Sequence, residues 1–342
     1  MVRPSVAVVS RVAGLREAFE ARGITGSWLQ WVKLPADGDK ISGTAQRVLS
    51  ECEVLVGEPA DCAPLVGDCS SLKWLQSTFA GCNPLLAPQL RRDYTVTRLA
   101  GAFGPDMAEY TLLHILSLER KYEEQRAAQQ RRDWVATRNP ESGERQGGAA
   151  YRRCSTLTLG VLGLGDIGTC IASAVHHGVR MRVVGWRRDA SPRESDARAG
   201  VCHVHGGRGE LAAFLSKCDY IVSVLPSTPE TAGLLDGDAL APCAARRPAL
   251  INVGRGDLLS ESSIVGALDR EWLSWYVGDV FAPEPLTTSS ALWHHPRVTV
   301  TPHNSAVTLP SDVAEAFAAN LERYETGGLE QLRNVFRWDA GY

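Results

Sequence analysis

No uninterrupted apolar stretch of membrane-spanning length occurs anywhere in the 342 residues, and the first apolar run, Val6 to Val9, is too brief for a signal-peptide core. The nine cysteines show no CxxC pair and no zinc-finger spacing, and an odd number cannot all pair within one chain. They are expected to serve as small core hydrophobes in a reducing compartment, which points to the cytoplasm. Long Lys/Arg runs are missing too: 36 basic residues face 39 acidic ones, for a formal charge of -3. Such a balance offers no electrostatic footprint for nucleic acid or an anionic membrane. Internal repeats and low-complexity segments are absent from the sequence. A small molecule is the expected partner.

What is present is a hydrophobic content of 44% in a chain longer than one core usually supports, so two domains are expected. Short β-rich runs at Val6 to Val9, Val54 to Val56, Trp74 to Gln76 and Tyr94 to Arg98 alternate with helical stretches such as Gly14 to Ala21. That alternation implies a parallel sheet covered by helices. From Asp106 a single long helix is expected, Met107 to about Arg126, with Leu112, Leu113 and Leu116 on one face, as a hinge or interface element. Trp134 to Arg153, rich in Arg and Gly and without apolar period, reads as a loop or arm. A second α/β set starts at Thr156. Strands are expected at Leu157 to Leu162, Met181 to Trp186, Tyr220 to Leu225, Ala249 to Val253, Trp275 to Val280 and Val298 to Thr301: about six, in a doubly wound nucleotide-binding pattern. An amphipathic helix, Ser311 to Thr326, closes the chain and is expected to pack on the first domain.

The strongest local signal is Leu159-Gly160-Val161-Leu162-Gly163-Leu164-Gly165-Asp166-Ile167-Gly168, a GxGxxG after an apolar strand and at the opening of a helix. In that context Gly163 makes a tight turn, Gly165 lets backbone approach a pyrophosphate, and Gly168 allows close helix–strand packing. Asp166 and Ile167 open the helix on which the phosphates would rest. The second strand ends in Arg187-Arg188, where a free ribose 2′-hydroxyl would call for an acidic residue. Two guanidiniums would instead pair with a 2′-phosphate, which favours NADP(H) over NAD(H). Two solvated surface arginines, with Asp189 on the ribose and NAD(H) as cofactor, is the alternative.

Beyond Tyr220 three segments stand in an order that nucleotide binding alone does not demand: Ile251-Asn252-Val253-Gly254-Arg255-Gly256-Asp257, Gly278-Asp279-Val280-Phe281-Ala282-Pro283-Glu284-Pro285-Leu286, and Thr301-Pro302-His303-Asn304-Ser305. Together they resemble the D-2-hydroxyacid dehydrogenase family, and the Trp186-Arg187-Arg188 ending is similar to its glyoxylate/hydroxypyruvate reductase branch. Ser77 to Gly81, Met107-Ala108-Glu109 and the tail from Asn334 extend the likeness over most of the chain. The resemblance implies an α/β fold of two doubly wound parallel-sheet domains. A Rossmann nucleotide-binding domain, 103–305, would be inserted in a flavodoxin-like substrate domain, 1–102 with 306–342. It implies a homodimer, and reduction of a small 2-keto acid such as glyoxylate or hydroxypyruvate. Arg255, Glu284 and His303 would be the catalytic residues, and Ala80 and Gly81 would lend backbone amides to the substrate carboxylate. Asp279 would lie near the nicotinamide carboxamide, with Met107, Leu225, Pro226, Thr231, Val253, Gly254 and Ser305 also along the cofactor. A corepressor family of the same fold keeps the three catalytic residues as a dinucleotide-sensing scaffold, and formate dehydrogenase is similar too. The first differs in an acid after the second strand, the second in a glutamine at the position of Glu284.

The chemistry asks for these residue types independently of any family. Hydride delivery to a 2-keto acid builds negative charge on the carbonyl oxygen, and a histidine is suited to give it a proton. A carboxylate beside that histidine favours its charged form. An arginine offers a permanent charge and a planar fork for the substrate carboxylate and the developing oxyanion. The other histidines read as structural: His114 packed in the long helix, His176 and His177 at a helix end before Gly178, His294 and His295 in a turn. His203 and His205 form an HxH pair without a third ligand, and no metal is expected. Cys82, Asn83, Thr287 and Thr288 depart from the family's usual residues at positions that can tune substrate size.

Overall fold

The computed structural model describes residues 3–34, 42–134 and 151–342. They divide into two compact units, Met1–Phe103 with Val307–Tyr342, and Gly104–Ala306.

In the first unit the chain runs β1 (Val6–Val9), α1 (Leu15–Ala21), β2 (Leu29–Trp31), α2 (Gly43–Glu51), β3 (Val54–Gly57), α3 (Pro59–Cys62), β4 (Trp74–Ser77) and β5 (Thr95–Thr97). The sheet is parallel throughout in the order β2-β1-β3-β4-β5, the flavodoxin-like arrangement. Every residue of β1, β3 and β4 is buried, as strands covered on both faces should be. β2 goes beyond the sequence reading; its three residues carry one buried side chain, Leu29, too little for a periodic signal. The last helix, Pro310–Gly327, belongs to this unit: the ring of Phe317 stacks on Phe19 at 5.2 Å and on Trp74 at 5.5 Å. These rings are fully buried and join both ends of the chain in one core.

The second unit contains α4 (Gly104–Glu119), α5 (Tyr122–Gln130), β6 (Thr158–Leu162), α6 (Asp166–Val179), β7 (Arg182–Arg187), α7 (Glu194–Arg198), β8 (Val201–Gly206), α8 (Leu211–Leu215), β9 (Tyr220–Ser223), β10 (Ala249–Asn252), α9 (Glu261–Asp269), β11 (Trp275–Gly278) and β12 (Val298–Val300). Its sheet has seven parallel strands, not six, in the order β12-β11-β10-β9-β6-β7-β8. The extra strand, β8, is a sheet edge paired to β7 across an irregularity at Val183/Val184. It spells Val-Cys-His-Val-His-Gly with only His205 buried, so it lacks the apolar run that marks its neighbours. The HxH pair is thus strand chemistry: the two rings pack edge to face at 4.4 Å.

The expected long helix is two. Lys121 takes a left-handed conformation, φ 51°, and ends α4 at Glu119. The buried Glu119 carboxylate accepts from the Tyr220 hydroxyl (2.8 Å) and from Arg152, so the last turn of α4 is fastened to the sheet. Neither partner is near Glu119 in sequence. The arm expected over Trp134 to Arg153 lies mostly outside the described residues, which stop at Trp134 and resume at Tyr151.

Strand order reverses at β6: β7 and β8 lie on one side, β9 to β12 on the other. Ligands of open α/β sheets bind at the carboxyl ends of the strands flanking such a point.

Candidate active site

Gly163 leaves β6 with φ 102°, and its amide donates to Trp186 O at 2.9 Å, which ties the turn to β7. A Cβ on Gly168 would lie 1.9 Å from Gly163 O, so only glycine lets α6 start against the turn. Gly165, the N-cap of α6, is exposed, and a Cβ there would meet nothing within 4 Å. Open space therefore faces the first turn of α6, where Asp166 is exposed and Ile167 half-buried, and where the N-terminal end of the helix dipole favours an anion. Across the switch point Val224 N donates to Leu162 O (2.9 Å), and Leu225 and Pro226 follow. Thr231 fixes this segment, its hydroxyl donating to Pro226 O (2.5 Å) and accepting from Thr228 N (2.9 Å). Met107, half-buried on α4, packs against the core on the β6 side. A dinucleotide's pyrophosphate fits this cradle.

At the carboxyl end of β7 Arg187 is turned inward. Its side chain is 7% exposed and forms a two-pronged pair with Asp196, at 2.7 and 2.9 Å. Its remaining contacts are Nε to Asp189 O at 2.6 Å and Nη2 to Ser191 O. Burial opposes ionisation of Asp196, but Arg187, with the Arg193 amide and charge, outweighs it and holds the carboxyl below its usual range. With its charge matched and four of its five N–H donors committed, Arg187 shapes the 188–193 loop. Arg188 points the other way, with a side chain 59% exposed and 3.9 Å from Glu230. The exposed Arg208, which sequence reasoning missed, reaches the main chain of the same residue, donating to the Glu230 carbonyl oxygen at 2.7 Å. Asp189 is engaged by Ser191, whose amide and hydroxyl donate to Oδ1 at 2.9 and 2.7 Å.

The three segments singled out beyond Tyr220 come together at the carboxyl ends of β10, β11 and β12. Arg255 is the third residue after β10, following Val253 and Gly254, both buried. Asn252 clamps this turn, accepting from Gly254 N (3.2 Å) and donating to Arg255 O (2.9 Å). Its completely buried side chain is a positioning group that the motif contained but no sequence argument identified. A Cβ on Gly256 would lie 2.0 Å from the Phe281 carbonyl carbon, so the Arg255 turn packs directly on the loop that leads to Glu284. Glu284 Oε1 accepts from Phe281 N (2.8 Å), turning the carboxylate back over its own loop, and Oε2 meets His303 Nδ1 at 2.8 Å. A carboxylate only accepts, so Nδ1 carries a hydrogen and Nε2 is left for other chemistry. The side chains of His303 and Glu284 are 52% and 37% exposed, so the imidazole remains accessible.

Behind them Asp279 is fully buried. Oδ1 accepts from Thr301 Oγ1 (2.6 Å) and Asn304 N (2.9 Å), Oδ2 from Ser305 N (2.9 Å). Burial works against its charge, but the Ser305 hydroxyl and these donors together prevail and hold its carboxyl below the usual range. Ser305 itself is buried, with its hydroxyl on the side of that carboxylate. In the other unit Ala80 and Gly81 sit in the turn after β4, half-buried; Ser77 organises that turn, its hydroxyl bonded to Phe79 N (2.9 Å) and Phe79 O (2.8 Å). Among the described residues no group of three or more His, Cys, Asp or Glu could hold a metal ion, and no helix is long and apolar enough to cross a membrane.

The family model for the D-isomer specific 2-hydroxyacid dehydrogenase NAD-binding domain matches residues 112–305, more than half of the sequence. The chain belongs to the D-isomer specific 2-hydroxyacid dehydrogenase family. It is 31% identical over 309 residues to glyoxylate/hydroxypyruvate reductase A of Serratia proteamaculans, covering 84% of this chain and 91% of that one. Among solved structures it is similar to a family member from Xanthobacter autotrophicus in complex with NADPH and MES, with a TM-score of 0.82 and 26% identity over 100% of both chains. It is also similar to the NADPH-dependent glyoxylate/hydroxypyruvate reductase of Sinorhizobium meliloti in complex with NADP and sulfate, with a TM-score of 0.78 and 25% identity over 98% of this chain and 99% of that one.

Proposed function

We propose that the protein reduces small 2-keto acids, glyoxylate and hydroxypyruvate foremost, to 2-hydroxy acids with NADPH, and that Arg255, Glu284 and His303 carry the chemistry. The observation that bears most weight is the 2.8 Å pair of His303 Nδ1 and Glu284 Oε2 on a loop packed against the Arg255 turn. Bound NADPH supplies the hydride. Glu284 holds the Nδ1 hydrogen and stabilises the imidazolium, so that Nε2 donates its proton to the substrate carbonyl oxygen as negative charge develops there. Arg255 steadies the carboxylate and the oxyanion, Ala80 and Gly81 offer amides to the carboxylate, and the Asp279 region receives the nicotinamide end. Gly163, Gly165 and Gly168 leave room for the pyrophosphate, with Asp166 and Ile167 opening the helix beneath it. Arg188, with Arg208 nearby, binds the 2′-phosphate.

The reductase names of the relatives and the NADPH and NADP in two solved neighbours support this reading over a dinucleotide-sensing corepressor. A homodimer is part of the proposal: α4 shows Leu113 and Leu116 to solvent, 59% and 39% exposed, and Trp134 is 92% exposed. Six of the nine cysteines are buried thiols outside any disulfide, which suits a cytoplasmic enzyme.

Steady-state oxidation of NADPH and of NADH against a panel of 2-keto acids tests the activity. The expected result is a higher kcat/KM with NADPH and with the two- and three-carbon acids. His303→Ala is expected to lower kcat by roughly a hundredfold or more while NADPH affinity stays nearly intact. Turnover of no 2-keto acid, or a near-normal His303→Ala, sinks the assignment.

A further inference from the structure

A line of hydroxyls runs from α4 to the turn that carries His303. The Tyr110 hydroxyl lies 2.6 Å from Thr301 Oγ1, and Thr301 Oγ1 lies 2.6 Å from Asp279 Oδ1. The direction of both bonds follows from chemistry. Asp279 is held ionised and can only accept, so the one hydroxyl hydrogen of Thr301 points to it, and Tyr110 must donate to Thr301. Burial pushes the Tyr110 phenol well above its usual range, which keeps that hydrogen in place. On its far side Tyr110 is braced by the His114 ring at 4.4 Å, a half-buried imidazole whose burial favours the neutral form.

Three amides of the 301–305 turn converge on Asp279. Its carboxylate takes the amides of Asn304 and Ser305, and its main-chain oxygen takes the His303 amide at 2.9 Å. His303 itself has φ 52°, a conformation that a side-chain-bearing residue keeps only where its surroundings over-determine it. The carboxylate that over-determines it is oriented by Thr301, and Thr301 by Tyr110, a residue 191 positions earlier in the chain.

We propose that Tyr110 and Thr301 are positioning residues for the reduction: through Asp279 they hold the His303 backbone so that Nδ1 stays on Glu284 while Nε2 faces the substrate carbonyl. The proposal rests on the reading of His303 as proton donor. Small displacements of a proton donor lower rates steeply, whereas a cofactor bound mainly through its phosphates and ribose is little affected by them. The effect is therefore expected in kcat and not in NADPH affinity.

The test uses the purified full-length protein with NADPH and glyoxylate. Thr301→Val is expected to lower kcat about tenfold and Tyr110→Phe about three- to tenfold, with the NADPH Kd within about twofold of wild type. Thr301→Ser, which restores the hydroxyl, is expected to return kcat to within about twofold. In a His303→Ala background Thr301→Val is expected to cause no further loss, because residues that act through one another are non-additive. Tyr110→Phe preserves the ring and keeps the question open to measurement if Thr301→Val does not fold. Unchanged kcat in both variants beside a crippled His303→Ala overturns the proposal and leaves the site reading standing. So does an equal fall in kcat and NADPH affinity, or the same fold loss in the His303→Ala background. Normal turnover by His303→Ala alone overturns the site reading, and the proposal with it.

Discussion

Two consecutive arginines at the end of β7 have opposite fates. Arg187 turns inward to Asp196 and the carbonyls of Asp189 and Ser191; Arg188 turns outward beside Glu230. Sequence could show the pair but not the division, because Asp196 stands nine residues on and reaches Arg187 only once the loop and α7 fold back. Arg188→Ala is expected to lower kcat/KM for NADPH about ten- to a hundredfold and to leave that for NADH nearly unchanged, as loss of a charge-assisted phosphate contact should. An equal fall with both cofactors would remove Arg188 from 2′-phosphate recognition. Asp196→Asn leaves the Arg187 charge buried without its anion, and a loss of about 3–5 kcal/mol in urea unfolding at pH 7 is expected. The folded-state pKa of Asp196 is depressed, so its contribution is present above the unfolded value of about 3.9 and fades as pH falls through the folded one. The gap between wild type and variant should accordingly narrow below about pH 4; a gap that stays constant there would contradict the ion pair.

Elements differ in how openly the sequence announces them. The turn between β6 and α6 was legible because all its requirements are local: an apolar strand, three glycines at fixed offsets, a helix. Strand β8 was not, since an edge strand with one buried residue needs no apolar run, and the α4–α5 break was not, since it is enforced by Arg152 and Tyr220 on Glu119. Asn252 stood in plain view within its motif, yet its task is defined by two backbone groups whose positions only the folded turn supplies. Thr301 was equally visible, but its partner Tyr110 lies on a helix read as a hinge or interface element. Gly168→Ala tests the element where local reading was strongest. A methyl group 1.9 Å from Gly163 O must push α6 away from the turn, and a tenfold or greater rise in the NADPH Kd by fluorescence titration is the expected order of magnitude. Unchanged affinity would mean that the pyrophosphate does not lie on this helix.

At the scale of the whole molecule, the parallel sheets and their doubly wound order could be expected from the alternation of β-rich and helical stretches, because strands covered on both faces have little choice but to be apolar. Assembly was less accessible: an exposed leucine pair on α4 becomes an observation only after the helix is placed. Sedimentation equilibrium is expected to give twice the chain mass, and Leu113→Glu with Leu116→Glu to shift the protein toward half that mass, since two charges in an apolar interface are costly to bury. A wild-type protein that sediments as a single chain would end the dimer proposal.

The stack of Phe19, Phe317 and Trp74 also has a meaning in time. A ribosome delivers Phe19 and Trp74 more than two hundred residues before Phe317, so the first unit waits with an incomplete core while Gly104–Ala306 emerges and can close on its own. Synthesis order and folding order are thus inverted: the segment made second is the first able to finish. Nascent chains halted near residue 306 should resist protease across the inserted unit and be cut readily in the first hundred residues, and release of the final helix should abolish that difference.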